Sequence, residues 1–243
     1  MPTIKENLKM WNVNHAWSKG GDEWSNQAAF CNQPYSKWKS SLISNFIYKN
    51  INKNSIVLEI APGYGRWTEH ILKKAKKVIL VDLSSKCLEY CKNRFFKFKN
   101  ISYNLNDGKS LDFLDDNSID FIWSYDSFVH MESEVIQNYL SQFPRILRKG
   151  GTAIIHHAGK NHKLLPFARF LSKFGKVGKL IKIQILFRKI RIGCRSDVSK
   201  EMVANFVKKS KLKLIKQIDT WGGTDKQYNC KLFGDWITIL RKP

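Results

Sequence analysis

The stretch VLEIAPGYGRWTEH, Val57 to His70, decides the fold class of this chain of 243 residues. Its apolar beginning predicts a buried strand, and the glycines that follow predict a turn whose backbone can closely approach a bound molecule. A strand, a glycine-rich turn and then a helix are typical of α/β proteins that bind a nucleotide-like cofactor. The residues of the turn indicate which cofactor it receives.

The turn departs from both common phosphate-binding patterns. Gly63 and Gly65 fill two positions of G-x-G-x-x-G, but Thr68 takes the third, and the Gly-Lys-Ser/Thr sequence of a P-loop is missing. A carboxylate at Glu59, four residues before Gly63, would repel a pyrophosphate. It suits a cofactor that carries an ammonium and a sulfonium group. S-adenosylmethionine (SAM) carries both, so the turn predicts SAM.

Strand and helix signals alternate through the rest of the chain. The predicted strands are residues 55–60, 77–82, 101–104, 118–124, 152–156, 212–219 and 233–240. The predicted helices are residues 40–52, 67–75, 85–95 and 132–147, the last stopped by Gly150 and Gly151, which also start the fifth strand. This order predicts an α/β fold with a doubly wound, mostly parallel seven-stranded sheet that ends in an antiparallel hairpin.

Further motifs follow the predicted strands. They are Asp82 at the end of the second strand, Asn106-Asp107-Gly108 after the third, Asp120-Phe121-Ile122-Trp123 in the fourth, and L-R-K-G-G-T before the fifth. Together with V-L-E-I-A-P-G-Y-G-R-W-T, they resemble in order the motifs of class I SAM-dependent methyltransferases, over about residues 45–157 and the closing hairpin. The alternative is a Rossmann-like dehydrogenase. The resemblance implies the Rossmann-like methyltransferase fold.

The resemblance also implies a set of cofactor-binding residues. They are Trp24, Glu59, Ala61, Gly63, Tyr64, Gly65, Asp82, Leu83, Asn106, Asp107, Gly108 and Ser124. Glu59 and the two glycines would shape the methionine pocket, Asp82 would bind the ribose, and Leu83 would pack against the adenine. Asp107 and Gly108 would contact the edge of the adenine, or they form a plain Asn-Asp-Gly turn.

Candidate bases lie in the loop after the fourth strand. His130 titrates near neutrality without help, and Asp126 is a second base or an orienter of His130. The alternative for His130 is a structural role, as a cap of the next helix or as a hydrogen-bonding side chain. His156 and His157 leave the fifth strand on opposite faces, so at most one of them faces substrate, and we favour His157. No cluster of residues calls for a metal ion. The reaction expected is therefore O-methylation assisted by one of these side chains.

The net charge of +22 comes from 42 Lys and Arg against 20 Asp and Glu. Eleven of the basic residues lie between Lys160 and Arg195, an interval without Asp or Glu. We expect a basic insertion at about 158–195 that attracts a phosphorylated or nucleotide-linked acceptor. The alternatives are a helix that contacts the membrane surface through 160–195, and a solvated basic face.

The N-terminal residues 1–40 are interpreted as an arm or lid on a methyltransferase domain at 41–243. The piece from Trp17 to Ser25 either covers the methionine end of the cofactor or packs on the sheet edge. With S-D-V-S-K-E-M-V-A near residue 196 and W-G-G near residue 221, it resembles methyltransferases found with bacterial surface-polysaccharide (capsule) genes. That resemblance implies a sugar, or a phosphoryl group attached to one, as acceptor.

Two other functions are alternatives to O-methylation of a small acceptor. An RNA or DNA methyltransferase is disfavoured because Ser124-Tyr125-Asp126-Ser127 lacks the prolines of Asn/Asp-Pro-Pro-Tyr/Phe. The second is a non-catalytic cofactor-binding or membrane-surface protein.

Five scattered cysteines, without a secretory signal or an apolar membrane span, suit a soluble protein of the reducing cytoplasm. Cys87 and Cys91 are interpreted as packing residues. The oligomeric state is not predicted.

Overall fold

The computed structural model describes residues 3–22, 25–159, 195–223, 231–232 and 234–243. Its strands are β1 Ile56–Ile60, β2 Lys77–Asp82, β3 Ile101–Leu105, β4 Ile119–Ser124, β5 Leu147–His157, β6 Lys213–Ile218 and β7 Trp236–Arg241. Its α-helices are α1 Ile4–Lys9, α2 Tyr35–Leu42, α3 Thr68–Leu72, α4 Ser85–Arg94, α5 Ser133–Ile146 and α6 Lys200–Lys209. Short π-helical turns span Met10–Asn14 and Ile43–Ile47, and 3-10 turns span Ser25–Cys31 and Phe128–His130.

The seven strands form one sheet in the order β3-β2-β1-β4-β5-β7-β6. The first five strands are parallel, and β7 runs antiparallel to both β5 and β6. The predicted doubly wound, seven-stranded sheet with a closing hairpin is confirmed. The strand order reverses between β1 and β4, and in such sheets a crevice opens beyond the carboxyl ends of the strands at this point.

Helices cover both faces of the sheet. Val57 of β1 belongs to the cluster on one face, together with Trp38 and Trp67, and its neighbour Leu58 belongs to the other, together with Phe143. Alternation along the strand therefore places Glu59 on the same face as Val57. A carboxyl group in this apolar layer needs a specific reason to be there.

Two predicted starting residues differ most from those in the structure. The helix predicted at 40–52 begins at Tyr35, directly after Pro34, because Pro34 has extended backbone that a helix can follow. Strand β5 begins at Leu147, before the glycines that were predicted to start it. Leu147 pairs with Ile119, and the register then shifts before Thr152. The glycines therefore lie at an irregularity inside the strand.

The structure bears on the predictions about the cysteines, and only slightly on the prediction about the basic insertion. Cys87 and Cys91 are free and buried, as their interpretation as packing residues predicts. Cys31 is disulfide-bonded, which the expectation of reduced cysteines did not include. Most of the predicted basic insertion, residues 160–194, lies outside the described residues.

The described ranges contain neither a helix that could cross a membrane nor a cluster of metal-binding side chains. None of their helices is long and apolar enough to cross a membrane. They also contain no group of three or more His, Cys, Asp and Glu side chains that could hold a metal ion.

Candidate functional site

A cavity lies at the carboxyl ends of β1, β2 and β4, where the strand order places the crevice. The predicted site residues in its wall are Ala61, Gly63, Asp82, Leu83, Asp126 and His130. The structure therefore brings together the turn after β1, the end of β2 and the loop after β4. The N-terminal arm completes the wall with Asn7, Trp11 and Trp17.

The loop after β1 is built on left-handed backbone. The φ angle is +56° at Ala61, +56° at Gly63 and +81° at Gly65, a region that glycine enters with little strain. A Cβ atom at Gly63 would lie 2.7 Å from the Trp17 ring, and one at Gly65 would lie 2.5 Å from Phe95. Glycine is thus required at both positions by conformation and by space.

Glu59 lies beneath this loop and does not line the cavity. Its side chain is 1% exposed, and Thr68 Oγ1 donates a 2.6 Å hydrogen bond to its Oε2 atom. Its Oε1 atom is buried with no hydrogen-bond partner among the described residues. Burial raises the pKa of Glu59 to about 8. Glu59 was predicted to shape the methionine pocket, but the structure places it beneath the turn and outside the cavity wall.

Asp82 lies at the end of β2, as predicted, and lines the cavity. Burial raises its pKa to about 6, although backbone N–H groups of Ser84, Gly63 and Leu83 act in the opposite direction. These contacts fix the carboxylate at the edge of the glycine loop. The resemblance to class I methyltransferases implies that an acidic residue at this position binds the ribose.

The Asn-Asp-Gly sequence after β3 forms a self-contained turn. Asn106 Oδ1 accepts a hydrogen bond from Gly108 N, and its Nδ2 donates to Tyr139 Oη. Asp107 Oδ1 accepts hydrogen bonds from the backbone N–H groups of Lys109 and Ser110. None of the three predicted residues lines the cavity. This geometry matches the plain-turn alternative, and the adenine contacts stay a prediction.

The remaining predicted cofactor residues lie around the cavity. Tyr64 stacks between Trp17 and Tyr90, with ring centroids 4.9 and 3.6 Å away. Ser124 is buried and donates a 2.9 Å hydrogen bond to the carbonyl oxygen of Ile60. Trp24 lies outside the described residues.

Asp126 belongs to a buried network of ion pairs in which positive and negative side chains alternate. Its carboxylate lies 2.9 Å from Arg66 Nη1 and 3.2 Å from His156 Nδ1, and it accepts hydrogen bonds from Gln27. His156 Nε2 lies 3.4 Å from Asp235, which is also paired with Arg195. This network connects the cavity wall to Arg195, the first described residue after 160–194.

These ion pairs fix the charge states of Asp126 and His156. Burial alone would raise the pKa of Asp126, but the hydrogen bond from His156 and the charge of Arg66 lower it well below its usual range. Burial alone would lower the pKa of His156, but its contacts with Asp126 and Asp235 raise it. Asp126 is held as an anion, and it also has left-handed backbone at φ +65°.

His130 and His157 have different surroundings. His130 ends a 3-10 turn in the cavity wall, with its ring 5.0 Å from that of Trp11. His157 is fully buried away from the cavity, its ring nitrogens 2.6 Å from Ala158 O and Thr238 Oγ1. Burial lowers the pKa of His157 to about 4. The structure therefore brings His130 to the cofactor residues, and it does not place His157 at the substrate rim.

Sequence reasoning missed Asn7, Trp11 and Arg66 as residues of the site. Arg66 directly follows the glycine turn, and that adjacency was an available signal. Asn7 and Trp11 precede the turn by about fifty residues, and no local pattern links them to it. Trp17 is predictable as a buried or covering residue, because a large aromatic side chain is costly to leave in water.

Part of this site lies in a segment that matches a known protein family. Residues 57–151 match a family model described as a methyltransferase domain. The matched segment holds the glycine turn, Asp82, Asp126 and His130. It does not include the arm.

Curated relatives match over short segments only. The chain is 36% identical over 80 residues to a ribosomal RNA small subunit methyltransferase A of Mycoplasmopsis synoviae, covering 28% of this chain and 31% of that protein. It is 40% identical over 58 residues to a probable one of Methanococcus aeolicus, covering 24% and 21%. The chain thus spans less than a third of the length of these relatives.

Solved structures share the fold along the chain. A magnesium protoporphyrin IX methyltransferase from Synechocystis PCC 6803 with bound SAH has a TM-score of 0.62 at 12% identity, covering 99% of both chains. A protein from Pyrococcus horikoshii OT3 has a TM-score of 0.60 at 17% identity, covering 94% of this chain and 100% of its own.

The fold is therefore a Rossmann-like methyltransferase fold. The methyltransferase-domain match over residues 57–151 agrees with this fold. The left-handed glycine turn and the carboxylate of Asp82, both at the cavity, fit SAM, the cofactor that the turn predicts.

Proposed function

We propose that the protein is an O-methyltransferase for a small hydroxylated acceptor, with His130 as general base. The observation that carries this is that His130 lines the same cavity as Gly63 and Asp82. SAM supplies a methyl group already activated on a sulfonium. The side chains of this protein must therefore align the acceptor, exclude water and take the proton of the acceptor hydroxyl.

The choice of His130 over Asp126 depends on their surroundings. Asp126 is ion-paired with Arg66 and His156, and its lowered pKa makes it a poor proton acceptor. Its role in this proposal is to hold Arg66 at the cavity wall. A histidine ordinarily titrates near neutrality and can take up a proton there.

We assign the N-terminal arm the role of a lid. Its Trp17 ring covers Gly63, and Asn12 Oδ1 accepts hydrogen bonds from Ser84 Oγ at 2.9 Å and from Lys86 N at 3.1 Å. These contacts lie on the loops beyond β1 and β2, whereas the sheet edges are β3 and β6. Their position supports a lid over packing at an edge, and aromatic side chains above the cavity would exclude water.

The acceptor we propose is anionic, such as a sugar or phosphoryl group of a surface-polysaccharide precursor. The net charge of +22 and the eleven basic residues between Lys160 and Arg195 support an anionic partner. With a phosphoryl oxygen as acceptor, His130 would position the group and would not need to deprotonate it. Action in the cytoplasm, with peripheral membrane contact through 160–195 as the alternative use of this segment, completes the proposal.

RNA methylation is the second candidate, favoured by the matches to ribosomal RNA methyltransferases. Those matches cover about a quarter of this chain. The loop Ser124-Tyr125-Asp126-Ser127 lacks the prolines typical of enzymes that methylate base amino groups. We therefore rank it below a small acceptor.

An assay with SAM carrying a labelled methyl group separates the two candidates. The purified protein is incubated in parallel with nucleotide sugars, with sugar phosphates and with ribosomal RNA. We expect label on an oxygen of a nucleotide sugar or sugar phosphate, lost in His130→Ala and kept in His70→Ala, a histidine of α3 outside the cavity wall. Label on an RNA base alone would overturn the proposed function.

A further inference from the structure

Residues 4–17 of the arm touch the loops that follow each of the first four strands. The contacts, in strand order, are Trp17 on Gly63, Asn12 on Ser84 and Lys86, Ile4 near Gly108, and Asn7 on His130. A lid could cover a site through any of these loops. The contact after β4 is special because it ends on the candidate base.

Asn7 connects the arm to His130 through both ends of its amide. The side chain is 7% exposed, and its Nδ2 atom donates a 2.8 Å hydrogen bond to the carbonyl oxygen of His130. Its Oδ1 atom accepts a 3.2 Å hydrogen bond from Trp11 Nε1. The amide therefore has one orientation that satisfies both partners.

Trp11 then faces the imidazole itself. The Trp11 and His130 rings lie 5.0 Å apart at an angle of 58°. The carbonyl oxygen of Trp11 accepts a 3.0 Å hydrogen bond from Trp17 Nε1, so the indole is tied to the ring that covers Gly63. The rotation of an imidazole about its χ2 bond is broad in the absence of packing. A fixed indole beside it narrows that range.

We propose that Asn7 is a positioning residue for His130. It holds the backbone of His130 through one hydrogen bond and the indole against the His130 ring through the other. Closure of the arm over the cofactor and orientation of the base are then one event. A base misplaced by about 1 Å loses roughly a hundredfold in rate, which gives the arm control over catalysis as well as over access.

The test compares two asparagines of the arm. Asn7→Ala removes the link to His130, and the control Asn12→Ala removes only the contacts with Ser84 and Lys86. The imidazole signals of His130 are recorded by NMR in histidine-labelled full-length protein and assigned with His130→Gln. The affinity for SAM is measured by calorimetry.

We expect Asn7→Ala to move the His130 ring signals and to lower kcat by roughly tenfold to a hundredfold. Because Asn7 also lines the cavity, affinity for SAM should fall as well, but by a smaller factor than kcat. Asn12→Ala should leave the ring signals in place. Trp11→Phe keeps an aromatic ring but loses the indole N–H, and should move the signals in the same direction by less. Its expected fold stability makes it the second variant if Asn7→Ala unfolds.

Unchanged His130 signals in Asn7→Ala, or equal movement in Asn12→Ala, would overturn the positioning role. This inference rests on the proposed function of His130, and the two can fail separately. Full turnover in His130→Ala would end the assignment of the base, whereas the NMR comparison needs no acceptor and reports on positioning alone.

Discussion

Thr68 Oγ1 donates a 2.6 Å hydrogen bond to Glu59 Oε2, while the other carboxyl oxygen of Glu59 is buried with no partner among the described residues. Burial raises the pKa of this carboxyl to about 8. The ligand-free protein therefore keeps Glu59 mainly protonated at neutral pH. A positive ligand group near Oε1 would favour the charged form.

Glu59→Gln should change how stability depends on pH. The folded protein holds the Glu59 proton up to about pH 8, whereas the unfolded chain releases it near pH 4.5. The free energy of unfolding contributed by this group is thus greatest below pH 4.5 and falls up to pH 8, by at most ~1.4 kcal/mol per pH unit. Urea unfolding at several pH values should show Glu59→Gln gaining on the wild type as pH rises. Parallel curves would contradict the raised pKa.

Binding of SAM at pH 7 should release protons. If the cationic end of SAM lowers the pKa of Glu59 from about 8, the complex binds fewer protons at pH 7 than the free protein does. Calorimetric titrations in two buffers with different ionisation enthalpies measure this release. Glu59→Gln should release fewer protons than the wild type. Equal release by both proteins would mean that Glu59 does not sense the cofactor.

Gly63→Ala should weaken SAM binding by more than the backbone strain of the substitution alone would. A Cβ atom there would meet Trp17 at 2.7 Å on a backbone with φ +56°. Gly150→Ala is the matched control, because Gly150 has φ +76° and nothing within 4 Å of a Cβ atom. Each change should cost stability of about 1 kcal/mol from the backbone, but only Gly63→Ala should displace Trp17. Calorimetry with SAM and thermal unfolding separate the two effects.

Asp126→Asn should destabilise the protein by about 3 kcal/mol, since it leaves Arg66 and His156 without their shared anion. The pKa of Asp126 is lowered, so its contribution is present above the unfolded pKa near 4 and is lost as pH falls further. The loss should therefore be full at pH 7 and shrink in acid.

The control for this change is Asp116→Asn, which removes an ion pair with Arg145 at a carboxylate that is 67% exposed. It should cost less than about 0.5 kcal/mol. Urea unfolding at pH 7 measures both variants. Similar small losses of unfolding free energy in both variants would show that the buried network of ion pairs stabilises the protein no more than a surface pair does.

The sequence predicted the sheet because its signals are local. Alternating strands and helices, and the glycine turn between Val57 and His70, determine the order of elements along the chain. Start points were less predictable: β5 begins at Leu147 because that residue pairs with Ile119, a partner distant in sequence. Local propensity does not contain such pairing.

The site could be predicted only in part for the same reason. The loops after the strands carry Asp82, Asp126 and His130, and parallel strands bring their ends together. The pairing of Asp126 with Arg66 and His156 depends on three separate elements, and the contacts of Asn7 and Trp11 join the arm to β4. Alternation predicts that His156 and His157 lie on opposite faces of β5, but it does not tell which of these faces meets the cavity.

The most direct test of the proposed reaction is the rate of methyl transfer by His130→Ala. The acceptor is the one labelled in the assay above, the concentration of SAM is saturating, and His70→Ala is the control. We predict that His130→Ala loses at least about a hundredfold in kcat while it binds SAM as the wild type does. A wild-type rate in His130→Ala would contradict the assignment of His130 as the base.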